Sequence, residues 1–254
     1  MTVREKQEKL GWAFGLGVVF IKPFLLATTK HDWVDTHKFP VSGGCVVVLN
    51  HVSHIDPLTA AHFVYEHGRV PRYLAKSQLF KNRLLGGFLS ACGQIPVERL
   101  SINAVGAFDA AVAAVREGKC VVVYPEGTLT RDPDLWPMTG KSGAARIALA
   151  TGCPVIPIGQ WGAQQLLAPY AARPDLFPRK LVRMLVGDPV DLADLVAKDR
   201  DPAAVQQATD RIMTTLTALV SEIRGEAAPT ERFDMRRAGV RQIGNPNKPQ
   251  EDVG

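Results

Sequence analysis

An α/β fold, with a mostly parallel central sheet flanked by helices, is what this sequence predicts, and three observations predict it. Two continuous apolar runs, Cys45–Leu49 and Cys120–Tyr124, read as strands buried on both faces. Segments with helical spacing alternate with such runs along most of the chain, as βαβ units require. The length of 254 residues suffices for one large α/β domain with a real core.

Taken in order, residues 1–10 are charged and helix-forming. An apolar stretch follows, Gly11–Ile21, which is cut by Lys22-Pro23 and resumes as Phe24–Ala27. A spanning helix needs about 20 apolar residues without such a break. The stretch reads as a helix pair or kinked helix lying on a membrane surface, with Trp12 at the interface; the competing reading is a helix packed on the core. Val41–Gly44 is a linker, so residues 1–40 form an N-terminal helical, membrane-associating segment. The α/β domain then spans 41–225. Its strands are Cys45–Leu49, Pro71–Lys76, Gln94–Glu98, Cys120–Tyr124, Pro154–Ile158 and Leu181–Val186. Its helices follow Pro57 and cover Asn103–Arg116, Gly143–Ala150, Asp191–Lys198 and Ala203–Arg224, while the very apolar Asn82–Ala91 reads as a helix or a hairpin. In the helix at 103–116, Val105, Phe108, Val112 and Val115 lie at helical spacing. From about Gly225 the chain is polar and rich in Gly and Pro, so 226–254 reads as a mobile tail.

Composition sets bounds. A hydrophobic content of 46% and a charged content of 22% are ordinary for a globular protein. The net charge of +5 suits anionic partners. No basic block interleaved with aromatics occurs, which argues against nucleic acid. The four cysteines form no C-x-x-C pair and read as buried, reduced thiols of a cytoplasmic environment.

The chemistry concentrates where the first buried strand ends. Asn50, His51, Ser53 and Asp56 occupy a short loop between that strand and a helix opened by Asp56-Pro57. Ligands of open α/β sheets bind at this edge. His51 and Asp56 are five apart, about 140° off one another on a straight helix, so a continuous helix would not pair them. A loop folded back onto the helix start would. Asp56 would then hold one ring nitrogen of His51 and leave the other to take a proton. No Ser or Cys nucleophile is needed if the substrate brings its own hydroxyl.

This string, Asn50-His51-x-Ser53-x-x-Asp56, resembles the N-H-x4-D motif of the glycerophospholipid acyltransferases. Three further stretches resemble motifs of the same family, in order. Gly93–Arg99 resembles G-x-x-x-[IV]-D-R, with Glu98 for Asp. Tyr124–Thr130 resembles F-P-E-G-T-R-S, with Leu129 where the family has Arg. Cys153–Ile158 resembles V-P-[VI]. The resemblance implies an acyltransferase that needs no cofactor and no metal. Its donor would be acyl-CoA or acyl carrier protein, its acceptor a lysophospholipid, most simply lysophosphatidate. It would work as a peripheral protein on the cytoplasmic face of the membrane. His51 would be the general base and Asp56 its orienting carboxylate. Arg99, with Arg131 or Lys141, would bind the acceptor phosphate. Backbone N–H groups of the Gly127-Thr128 turn are candidate oxyanion donors. Asn50, Ser53 and Glu126 complete the substrate-binding set, with Glu126 ordering it. The apolar 84–92 segment would wall the fatty chain.

Three other readings compete. A metal-dependent hydrolase would use His51, His54 and Asp56. All six histidines precede residue 68, however, and a binuclear site draws ligands from distant loops. A serine hydrolase would carry G-x-S-x-G, which is absent. A non-catalytic lipid-binding protein of the same fold would not need both His51 and Asp56.

Overall fold

The computed structural model describes residue 8, residues 10–97, residues 104–241 and residue 245. The chain begins with helix α1 (Trp12–Thr28) and passes directly into strand β1 (Thr29–Val34). There follow β2 (Cys45–Leu49), α2 (Asp56–Glu66), β3 (Pro71–Lys76), α3 (Arg83–Ala91), β4 (Ile95–Val97) and α4 (Ala104–Arg116). Next come β5 (Cys120–Val123), α5 (Gly143–Thr151), β6 (Val155–Trp161), the single-turn α6 (Ala163–Leu166), β7 (Lys180–Val186) and α7 (Pro202–Arg224).

One seven-stranded sheet has the order β1-β7-β6-β2-β5-β3-β4. Every neighbouring pair is parallel except β6–β7. The expected mostly parallel α/β fold is therefore what forms. All five residues of β2 and all four of β5 are buried, because helices cover both faces. One face packs Val46, Val48, Val121 and Val123 against α4, α5 and α7. The other packs Cys45, Val47, Leu49 and Val122 against Phe39 and the α2 residues Ala60, Phe63 and Val64. The alternation of neighbouring residues between these clusters is the two-residue period of a strand.

The connections place the site. β2 leads through α2 to β3 on one side of the sheet, and β5 leads through α5 to β6 on the other. Crossovers that leave in opposite directions with the same hand lie on opposite faces. A crevice opens between them at the C-terminal ends of β2 and β5.

Four readings of the sequence are revised. Helix α1 runs through Lys22-Pro23 as a single helix, without the expected break. Leu25 and Ala13 are fully buried, and Lys22 Nζ bonds Glu66 Oε1 on α2 at 2.6 Å, so packing carries the helix past its proline. The helical part of the N-terminus is shorter than 1–40, since Thr29–Val34 is a strand. It joins the sheet edge beside β7, with Arg183 Nε on Asp32 Oδ2 at 2.6 Å across the pair. The expected helix at 191–198 is only a short 3₁₀ turn, Ala193–Leu195. Finally, the first part of the tail is packed. Arg232 bonds Thr214 Oγ1 and Asp210 Oδ1 on α7, Phe233 O accepts from Thr139 N, and Met235 is buried. All four cysteines are free, as expected.

Candidate active site

The loop after β2 folds back onto the first turn of α2. His51 Nδ1 donates to Asp56 Oδ2 at 2.9 Å. The same oxygen accepts from Val52 N at 2.6 Å and Ser53 N at 2.7 Å. Asp56 is fully buried and opens the helix, but its carboxylate is aimed backwards into the loop rather than at the following N–H groups. The positive end of the α2 dipole still favours its charge. Three donors on one carboxylate oxygen fix the loop and select the Nδ1–H tautomer. That leaves Nε2 with a lone pair, on a ring that is 14% exposed and lines a large cavity.

The loop after β5 holds the back of this ring. Tyr124 stacks on His51 with centroids 4.2 Å apart. Thr130 N donates to His51 O at 2.8 Å. Glu126 Oε1 accepts from His51 N at 2.9 Å, and Oε2 accepts from Met138 N at 3.1 Å. Glu126 is fully buried, and burial lifts its pKa to about 8, with the Met138 and His51 donors pulling the other way. It ties two loops together and does not face the cavity.

Asn50 and Ser53 are likewise turned inward, contrary to the expectation that they touch substrate. Asn50 Nδ2 donates to Gln160 O at 3.0 Å, and Asn50 Oδ1 accepts from Gln160 N at 2.8 Å. Gln160 Nε2 returns a bond to Asn50 O at 2.6 Å. These bonds continue the β2–β6 ladder one step beyond Leu49 and Ile158. Ser53 Oγ donates to Leu167 O at 2.7 Å and accepts from Ile55 N at 3.2 Å. In buried loops such groups must be paired, and here the backbone pairs them.

Gly127 and Thr128 line the cavity. Gly127 has φ +71° and its N–H is used by Tyr124 O at 2.9 Å, so Thr128 N–H is the donor the turn still offers there. A Cβ on Gly127 would come within 2.9 Å of Lys141 Nζ, which places the Lys141 side chain over this turn and in the cavity wall. Arg131 lies behind that wall, its guanidinium 4.6 Å from the centre of the Tyr170 ring. Arg99 lies outside the described residues.

The cavity itself measures about 1000 Å³ and is mainly apolar. It runs along α2 past Leu58, Ala61 and Tyr65, and is walled by Val18 and Ile21 of α1 and by Phe88 and Leu89 of α3. The apolar 84–92 segment thus divides. Phe88 and Leu89 turn inward, while Leu84 and Leu85 are exposed. His54 Nε2, His51 and Asp56 do not make a metal site: among the described residues, no three His, Cys, Asp or Glu side chains converge as one would require.

A dyad whose base faces a long apolar cavity at the end of a buried strand suits transfer of a fatty chain to a hydroxyl. Residues 32–161, just over half of the chain, match the family model described as Acyltransferase.

The chain belongs to the acyltransferase family.

Among relatives of this acyltransferase is the 1-acyl-sn-glycerol-3-phosphate acyltransferase of Bacillus subtilis. It is 26% identical over 181 residues, which cover 70% of this chain and 84% of that protein. The enzyme of the same name from Borreliella burgdorferi is 30% identical over 134 residues, covering 52% of each chain. The crystal structure of the 1-acyl-sn-glycerophosphate acyltransferase PlsC from Thermotoga maritima superposes with a TM-score of 0.62. It covers 83% of this chain and 79% of that one at 20% identity, which establishes a shared fold.

Sequence reasoning missed Gln160, Met138 and Tyr170. A lone Gln at the end of an apolar strand and a Met in a loop give no signal by themselves. The contacts that make them partners of Asn50, Glu126 and Arg131 form only in the folded chain.

Proposed function

We propose that this acyltransferase moves a fatty acyl group from acyl-CoA or acyl carrier protein to the free hydroxyl of 1-acylglycerol-3-phosphate, giving phosphatidate for phospholipid synthesis. The observation that carries this reading is the 2.9 Å pair of His51 Nδ1 and Asp56 Oδ2 on the wall of an apolar cavity. His51 Nε2 accepts the hydroxyl proton as the oxygen attacks the thioester carbonyl. Asp56 stabilises the imidazolium that results. The tetrahedral oxyanion is met by Thr128 N–H. Collapse expels the thiolate, which takes the proton from Nε2, leaving a new ester and a free thiol. Lys141 and Arg131, with Arg99, supply positive charge for the acceptor phosphate. The names of the relatives support this choice of acceptor.

The sheet and its helices, from β1 to α7, serve as the catalytic domain, and the exposed face of α1 as its membrane contact. No helix among the described residues is long and apolar enough to cross a membrane. What α1 has is an exposed apolar face, with Trp12 at 75%, Val19 at 65% and Phe20 at 69%, and α3 adds Leu84 at 86% beside Lys81 and Arg83. An exposed apolar face with cations beside Leu84 suits an anionic bilayer surface.

The deciding experiment is lipid product analysis with purified protein, 1-acylglycerol-3-phosphate and either donor. Phosphatidate formed in step with thiol release is expected. Thiol release that is equal with and without acceptor would identify a thioesterase instead and overturn the reading.

A further inference from the structure

Tyr124 packs nearly flat against the base, its ring 4.2 Å from that of His51 and tilted by 25°. Tyr73 lies parallel to Tyr124, at 6.3 Å and 5°. The strand order β2-β5-β3 puts Tyr124 between the other two rings. Tyr73 is fixed by its hydroxyl, which donates to Pro57 O in the first turn of α2 at 2.8 Å. The Tyr124 hydroxyl is buried and makes no hydrogen bond in the observed geometry, and the same holds for Gln160 Oε1 and Asp56 Oδ1. The Gln160 side chain lies beside that hydroxyl. Its Nε2 bonds Asn50 O, the carbonyl that precedes His51, at 2.6 Å. An unmade buried bond is costly, so the orphaned donor is drawn toward the orphaned acceptor of the glutamine. That attraction holds the far edge of the Tyr124 ring. The resembled motif carries Phe here, so the hydroxyl belongs to this chain rather than to the motif.

The charge on His51 changes during the reaction. It is a neutral imidazole before the acceptor hydroxyl attacks and a cation once the proton has moved. A cation is drawn to the negative face of an aromatic ring within about 6 Å, and more strongly where water is excluded. The His51 side chain is 14% exposed. A contact that strengthens as charge develops lowers the barrier, whereas one equally strong throughout does not. Burial, with the negative charge of Asp56 adding to it, pushes the pKa of both tyrosines well above the usual value, so the faces in the stack stay those of neutral phenols. The other ionisable groups around His51 act differently. Asp56 of α2 bonds the ring edge at Nδ1, and Glu126 bonds the backbone N–H. His54 shares the loop and has its pKa lowered by burial, and Lys141 belongs to the cavity wall. Asp56 thus serves the edge of the imidazole and Tyr124 its face.

We propose that Tyr124 is a positioning residue of the acyl transfer, whose π face stabilises the His51 cation formed as the hydroxyl proton leaves. This rests on the reading of His51 as the general base. It gives the aromatic residue that opens the Pro-Glu-Gly turn a part in the reaction, beyond filling space between β2 and β3.

The test withdraws charge from the ring while keeping its shape. Full-length Tyr124→Phe is compared with the same protein carrying trifluorinated phenylalanine at that position, and with Tyr124→Leu. For each, kcat/KM for 1-acylglycerol-3-phosphate is measured against pH at saturating acyl-CoA, with Tm alongside. Tyr124→Phe keeps the face and should stay within about three-fold of wild type. Relative to it, the fluorinated ring should lower kcat/KM by about three- to ten-fold and move the acid limb of the profile to lower pH by about half to one unit, because the cation is less favoured. Tyr124→Leu should do at least as much. A fluorinated ring that gives the rate and the acid limb of Tyr124→Phe overturns the proposal, whether or not Tyr124→Leu folds. So does a fall in rate with an unmoved limb, which is the mark of a ring that only packs. Near-normal turnover in folded His51→Ala protein would instead sink the reading of the base itself.

Discussion

Single residues carry the chemistry, and two of them make opposite demands. His51 must stay neutral at Nε2 to accept a proton, and the Asp56 carboxylate, bonded to Nδ1 and two backbone N–H groups, holds it in that tautomer. His51→Ala should lower kcat by on the order of 10²–10⁴-fold while circular dichroism and Tm stay close to wild type; near-normal turnover in folded protein would dismiss His51 as the base. Glu126 carries the structural burden. A free glutamate ionises near 4.5, whereas in the fold Glu126 keeps its proton to about 8. Between those values unfolding releases a proton, so rising pH favours the unfolded chain. The stability that Glu126 contributes is fully present below about 4.5 and is lost as pH rises toward 8. Glu126→Gln should therefore show a smaller fall in Tm between pH 5 and pH 8 than wild type. Equal slopes would mean that Glu126 is already ionised at pH 5.

At the scale of elements, what could be read from sequence was whatever is local. The runs at Cys45–Leu49 and Cys120–Val123 announce themselves because helices on both faces demand an apolar residue at every position. The dyad was legible for the same reason: strand, polar loop and Asp-Pro helix start are contiguous. β1 was not legible. Its sequence, Thr29–Val34, alternates His, Asp and Trp without a clear apolar pattern, and it becomes a strand only through a partner some 150 residues away. The inward turn of Asn50, Ser53 and Glu126 was hidden likewise, since each is satisfied by a distant backbone group. Helix α1 showed its apolar character but not its division of labour. Val18 and Ile21 line the cavity while Val19 and Phe20 face outward. That division yields a sharper test than removing the N-terminus, which would also strip the cavity wall and β1. Replacing Trp12, Val19 and Phe20 together by Ser should abolish sedimentation with anionic liposomes and leave Tm nearly unchanged. Undiminished liposome binding by the triple variant would place the membrane contact elsewhere.

The whole molecule sets the size of what it holds. The cavity follows α2 from the dyad to Tyr65, nine residues along from Asp56, or roughly 13 Å at the helical rise. Its walls come from α1, α2 and α3, so its depth is a property of how three helices pack, not of any motif. Ala61 lies about midway and faces the space. Ala61→Phe should shift donor preference toward shorter acyl chains in a competition between short and long acyl-CoA. An unaltered chain profile would show that the acyl group lies along another wall. No pattern in the sequence marks Ala61, because one alanine among the small and apolar residues of a helix gives no signal of its own.

The pairing of β1 with β7 also has a consequence for how the protein is made. Thr29 O receives both Nε and Nη2 of Arg179, so the first strand of the sheet to leave the ribosome waits for the last one. Closing a loop of that length is slow compared with forming the local βαβ units between. While β7 is still being synthesised, α2 is already made and holds α1 through Lys22 and Glu66, but β1 has not met the strand it pairs with. A strand without its partner is a template for pairing with another chain, and sealing the sheet against β7 removes that hazard.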